Sequence, residues 1–214
     1  MTSEKVIPFN PLAKRHLGES VGQAMLRQPV VPLRDLKAFE GAGIYAIYYT
    51  GDFSGYELIA EKNCNQRYEA PIYVGKAVPK GTRKGGNLEA KPGRVLYNRL
   101  KQHTKSIEET SDLRITDFHC RYLTVDDIWI PLGESLLIAK FAPLWNKLID
   151  GFGNHDPGKG RHAGLRPRWD VLHPGRPWAE HCKEREETAE QIVSEVRDYL
   201  RNNPPPDDGT MITT

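Results

Sequence analysis

Gly43-Ile44-Tyr45-Ala46-Ile47-Tyr48-Tyr49 and Ile72-Tyr73-Val74-Gly75 are the two stretches on which a reading of this chain turns. Both are dominated by β-branched and aromatic residues and carry glycine at an end, which is the composition of a buried strand. The segment between them, Thr50–Pro71, is too long for a tight hairpin turn, and Tyr56–Ala60 within it reads as an extra strand. After the second strand comes a Gly/Lys-rich loop, Lys76–Gly93. Pro92 stands at a helix start, and Arg94–Ile107 follows with Val95, Leu96, Leu100 and Ile107 as its apolar stripe. Arg99 and His103 are four apart and share another face of that helix. Phe118–Leu123 is a third strand, and a helix over Glu134–Phe141 ends at Ala142-Pro143. The pattern predicts an α+β fold: a small antiparallel sheet flanked by helices, with insertions and terminal extensions.

Outward from this centre, residues 1–40 form an N-terminal extension of extended segments around a helix at His16–Arg27. Residues 41–150 form the core, with insertions at 50–71 and 77–93. Residues 151–201 comprise a Gly/Pro/His/Arg-rich loop and an amphipathic helix, Glu180–Leu200, whose buried face is Ile192, Val193, Val196, Tyr199 and Leu200. The tail 202–214, with three consecutive prolines, is expected to be disordered.

No apolar run reaches the roughly 20 residues that span a bilayer, and the N-terminus lacks a secretory apolar region. The three cysteines, Cys64, Cys120 and Cys182, are scattered and form no CxxC pair, which excludes a zinc ribbon and fits a reducing cytoplasm. Net charge is only +2, yet its distribution is uneven. Lys76–Lys105 holds nine Lys/Arg against Glu89, and Gly151–Trp178 holds five against Asp156 and Asp170, so these stretches carry +11 and the remainder −9. Such clustering is the sequence footprint of a polyanion-binding surface.

Two strand tyrosines, a basic pair one helical turn apart and a lone carboxylate, Glu134, together suit phosphodiester hydrolysis. That reaction needs a base for water, a cation at the phosphate and a proton for the leaving oxygen. The planar fork of Arg99 matches phosphate oxygens.

The order of these pieces, Gly43-Ile-Tyr45, Tyr73-Val-Gly75, Arg99, Glu134 and Asn146, resembles the GIY-YIG nuclease superfamily over about Gly41–Lys147. The resemblance implies that Tyr45 and Tyr73 are the motif tyrosines, one of them the general base. It also implies that Arg99 is the catalytic arginine, that His103 relays a proton, and that Asn146 braces the site. Glu134 would be the ligand of one Mg2+ ion per active site. Lys76 follows the motif glycine, where a cation lowers a tyrosine pKa. Tyr49, on the strand face of Tyr45, is a secondary candidate. Both inter-motif spacings are longer than in compact members, so the core carries insertions. No zinc finger or helix-turn-helix module follows. A short nuclease of this kind resembles the small type II restriction endonucleases that cut CCGCGG, which implies a bacterial cytoplasmic enzyme acting on double-stranded DNA as a homodimer.

A GC-rich site would be read in the major groove by Arg and Lys on guanine. Candidates for DNA contact are Lys80, Arg83, Lys84, Arg94, Asn154, His155, Lys159, Arg161, Arg166 and Arg168. A palindrome implies a two-fold dimer, with the 50–71 insertion or the C-terminal helix as its interface. Two alternatives belong to other classes: a structure-selective repair or recombination nuclease, and a catalytically silent DNA-binding module. An HNH nuclease built on His155 and His162 lacks the pattern of paired metal ligands.

Overall fold

A computed structural model of the chain describes residues 9–79, 92–156 and 164–206. The strands are β1 (Val31–Pro32), β2 (Gly43–Tyr49), β3 (Pro71–Ala77) and β4 (Phe118–Thr124). The helices are α1 (Lys14–Leu26), α2 (Glu57–Asn63), α3 (Val95–Glu108), α4 (Ile130–Phe141), α5 (Leu144–Lys147), α6 (Arg168–Leu172), α7 (Pro177–Glu180) and α8 (Ala189–Asn202). The strands form one sheet of order β1-β4-β2-β3, and each neighbouring pair is antiparallel. The α+β class and the small antiparallel sheet are as the sequence predicts.

All seven residues of β2 are buried. The pleat sends Tyr45, Ile47 and Tyr49 into one core and Ile44, Ala46 and Tyr48 into another. A strand covered on both faces shows no polar alternation, which is why GIYAIYY is an unbroken apolar and aromatic run. The first core is built with Leu96 and Leu100 of α3, Trp145, Phe152, Trp169 and the apolar face of α8. The second is closed by α1 and α4 through Met25, Ile130, Leu137 and Phe141. These two helices approach closely over Gly133, where an added Cβ would lie 2.7 Å from Val21 Cγ1 and 2.9 Å from Ile44 Cδ1.

Several expectations are corrected. Tyr56–Ala60 is not a strand, because Tyr56 and Ile59 recur at helical spacing and bury one face of α2. Asn63 at the end of α2 pins the insertion: its Nδ2 donates to the carbonyls of Tyr49 and Ala70, and its Oδ1 accepts from the Ala70 amide. Three bonds from one buried amide thus hold the ends of β2 and β3 together. The C-terminal helix starts at Ala189, not Glu180. Thr188 accepts from the Gln191 amide while the Gln191 side chain accepts from the Thr188 amide, a reciprocal box that sets the boundary. Helix α4 begins at Ile130, so Glu134 lies in its second turn and does not open it. The N-terminal extension itself packs on the core, since β1 pairs with β4 and α1 packs on α4. The dipeptide strand Val31–Pro32 is too short to announce itself, and its proline is tolerated because β1 lies at the sheet edge.

Candidate active site

Strands β2 and β3 place Tyr45 opposite Gly75 and Ile47 opposite Tyr73. A Cβ at Gly75 would clash with the Tyr45 hydroxyl, so the motif glycine is the gap through which the Tyr45 ring crosses to its neighbour. The Tyr45 and Tyr73 rings lie 6.2 Å apart, and both face α3. The helix presents His103, whose Nε2 is 2.6 Å from the Tyr45 hydroxyl, and Arg99 one turn earlier. Tyr45 is fully buried and His103 nearly so, whereas Tyr73 is partly open.

Burial governs the titration of this group. It pushes Tyr45 well above an ordinary tyrosine, reinforced by the neighbouring Tyr73 and opposed by Arg99. Tyr73 is also raised by burial, and the charge and hydrogen bond of Arg99 and a hydrogen bond from Tyr45 pull it back. His103 is pushed well below the usual histidine value by burial, then by Arg99, and stays neutral.

Arg99 is held in place. Its Nη2 donates to the Gly153 carbonyl at 2.9 Å, and its Nη1 donates to His155 Nε2 and reaches Gln102 Oε1 at 3.4 Å. His155 therefore meets Arg99 as a neutral acceptor, and burial followed by the charges of Arg99 and Arg176 lowers its pKa. Phe152 stacks on His103 at 4.4 Å and meets the Tyr73 ring in a T-shaped contact at 5.0 Å. A Cβ on Gly153 would come within 2.8 Å of the Tyr73 hydroxyl, so the loop lies directly against the site.

Lys76 is the cross-strand partner of Ile44 and turns toward α4. Its Nζ lies 2.6 Å from Glu134 Oε2, with side chains 38% and 17% exposed. Glu134 is near enough to both tyrosines to raise them. Among the described residues no three His, Cys, Asp or Glu side chains group as a metal site, and Glu134 is the carboxylate that Lys76 meets here. Asn146 on α5 donates to the Val74 carbonyl and accepts from the Val74 amide, each at 2.8 Å. Because β3 is an edge strand, this side chain stands in for a further strand and fixes β3 beside Tyr73.

The structure thus brings together Tyr45, Tyr73, Lys76, Arg99, His103, Glu134 and Asn146, and adds Phe152, Gly153 and His155. Three candidates fall elsewhere. Tyr49 is two pleats away; its hydroxyl accepts from the Phe53 amide, and burial raises its pKa to about 12. Arg168 is braced within the fold: its guanidinium binds Glu187 and Glu195 and donates to the Leu148 carbonyl, tying α6 to α8. Arg166 donates to the Ala179 carbonyl from a half-buried position. Arg94 and Asn154 are exposed, and Lys80, Arg83, Lys84, Lys159 and Arg161 lie outside the described residues.

The family model described as the Eco29kI GIY-YIG domain matches residues 37–200. The matched span contains every side chain gathered above. No curated protein matches the chain.

Proposed function

The chain belongs to the Eco29kI GIY-YIG family and is a restriction-type DNA endonuclease, and from that premise we propose that it is a type II enzyme. In this reading it cuts double-stranded DNA at a short palindromic GC-rich site, CCGCGG, as a homodimer, with a tyrosine base and one Mg2+ ion per active site. The observation that carries the chemistry is the Tyr45–His103 hydrogen bond set beside Tyr73 and Arg99, with a single carboxylate at the same edge of the sheet.

Tyr73 is the tyrosine that faces outward, and we assign it the base. Its phenol gives its proton up most readily when two neighbours hold the phenolate: Arg99 by its charge and a hydrogen bond, and Tyr45 by a hydrogen bond. Tyr45, sealed from solvent, accepts from the Nε2–H of neutral His103, which leaves its own O–H to donate to Tyr73. Arg99 neutralises charge that develops on the phosphate oxygens, where fixed donors act most strongly. Asn146 keeps β3 and its tyrosine in register.

The residues at the sheet edge fit a hard divalent cation. The half-exposed ammonium of Lys76 already rests on Glu134, so the carboxylate is aligned toward positive charge and can be reached from outside. Glu134 would hold Mg2+, with water and phosphate oxygens filling the other positions, and the ion would supply Lewis acidity at the scissile phosphate. Lys76, Arg94, Asn154 and His155 are exposed, and in this reading they contact DNA. A two-fold dimer would match the palindrome.

Digestion of plasmid DNA with and without Mg2+ tests the proposal. Discrete fragments ending at CCGCGG are expected. Discrete fragments from other sites would refute the specificity, a smear or cutting limited to branched junctions would refute the restriction reading, and no cleavage with intact DNA binding would point to a silent module.

A further inference from the structure

The loop that walls the site is itself wrapped around a buried cation. Arg176 is 1% exposed, and its guanidinium lies 4.5 Å from the Trp169 ring centroid and 4.8 Å from that of Trp178. An arginine has five N–H donors, and here five bonds are made. Nε and Nη2 grip the two oxygens of buried Asp170 at 2.6 and 2.5 Å. Nη2 also reaches the Gly151 carbonyl at 3.0 Å, and Nη1 reaches those of Asn154 at 3.2 Å and Phe152 at 3.4 Å.

Of the four successive carbonyls from Gly151 to Asn154, Arg176 takes three. The one it leaves is that of Gly153, which turns the opposite way and accepts from Arg99. The same turn sends Phe152 onto His103 and His155 onto Arg99. We propose that Arg176, locked by Asp170, is a positioning residue for phosphodiester hydrolysis. By gathering the flanking carbonyls it fixes the Gly153 carbonyl and His155 as the seat of the Arg99 guanidinium. This rests on the nuclease reading, in which Arg99 acts on the phosphate. Arg176 itself touches neither DNA nor the reacting atoms.

A misplaced catalytic group loses rate without losing affinity. Arg176→Lys keeps the charge but cannot serve a carboxylate and three carbonyls from one plane. Its single-turnover cleavage rate is expected to fall about tenfold or more, with DNA affinity within about twofold of the parent. In an Arg99→Ala background the same substitution should change the residual rate less than about twofold, because the group it positions is gone. Asp170→Asn, close in shape, should repeat the pattern and replaces Arg176→Lys if that variant does not fold. Side-chain NMR of the Arg99 guanidinium reads the coupling without DNA, so it is informative even if the parent cuts nothing. Restricted Nη rotation in the parent should be lost in the variant. A folded variant with the parent's rate, an equal rate loss in both backgrounds, or unchanged Arg99 signals would overturn the assignment.

Discussion

The described residues hold two buried tyrosine–histidine pairs of nearly the same length, and in the proposed reading one of them reacts. Tyr45 meets His103 Nε2 at 2.6 Å, and Tyr56 meets His173 Nε2 at 2.7 Å. The second pair is a closed chain. Trp145 Nε1 donates to the Tyr56 oxygen at 2.9 Å, Tyr56 donates to His173 Nε2, and His173 Nδ1 donates to Asp112 at 2.9 Å. Its groups have partners among themselves, so it joins α2, α5 and the residues after α6 and does nothing more. The first pair is open at one end. Beyond Tyr45 lie Tyr73 and Arg99, partly exposed, and then Glu134 and Lys76 at the sheet edge. What separates a site from a strut is whether the hydrogen-bonded chain ends in solvent beside a charge.

That contrast can be broken at the open end first. Glu134→Ala is expected to abolish cleavage while target affinity stays within about tenfold, because a single carboxylate is assigned the metal. Gel-shift and cleavage assays on one duplex check this; normal cutting at ordinary Mg2+ would remove Glu134 from the site. At the closed end the effect should appear in stability. Tyr56→Phe strips a partner from both Trp145 and His173, and is expected to lower unfolding free energy by about 1–3 kcal/mol in urea melts. A variant as stable as the parent would show that the closed chain carries no structural weight.

A smaller effect follows from the two imidazoles. Burial depresses both, and Arg99 depresses His103 further while Asp112 opposes the shift at His173. A depressed histidine leaves the folded state with fewer protons than the unfolded one. Stability is therefore complete above the unfolded value of about 6.5 and is lost as pH falls toward the folded pKa. Thermal melts from pH 7.5 to pH 5 should show this decline, less steep in His103→Gln than in His173→Gln. The reverse ranking would place the stronger depression at His173.

The sequence exposed whatever depended on local pattern. GIYAIYY, IYVG and the Arg99–His103 spacing gave two strands, a helix and most of the candidate site, because period and composition act over neighbouring residues. What it hid was set by partners far along the chain. Arg168 looks like any loop arginine until Glu187 and Glu195 are seen beside it, and Arg176 until three carbonyls close around it. His155 reads as a DNA contact in a basic loop, yet that loop folds it onto Arg99. Tyr56 and Tyr49 carry the same aromatic signature as Tyr45 and Tyr73, and only packing tells them apart. The start of α8 is a different case: Thr188 and Gln191 form a signal that is visible in sequence but loses to the broader amphipathic run before it.

The most direct test compares the two hydroxyls. Tyr45→Phe and Tyr56→Phe each delete one oxygen from a buried tyrosine–histidine bond, and single-turnover cleavage of a CCGCGG duplex, at matched folded fraction, reads the consequence. A loss of roughly a hundredfold or more is expected for Tyr45→Phe and a rate within about twofold of the parent for Tyr56→Phe. Equal losses in the two variants, or the larger loss in Tyr56→Phe, would contradict that expectation.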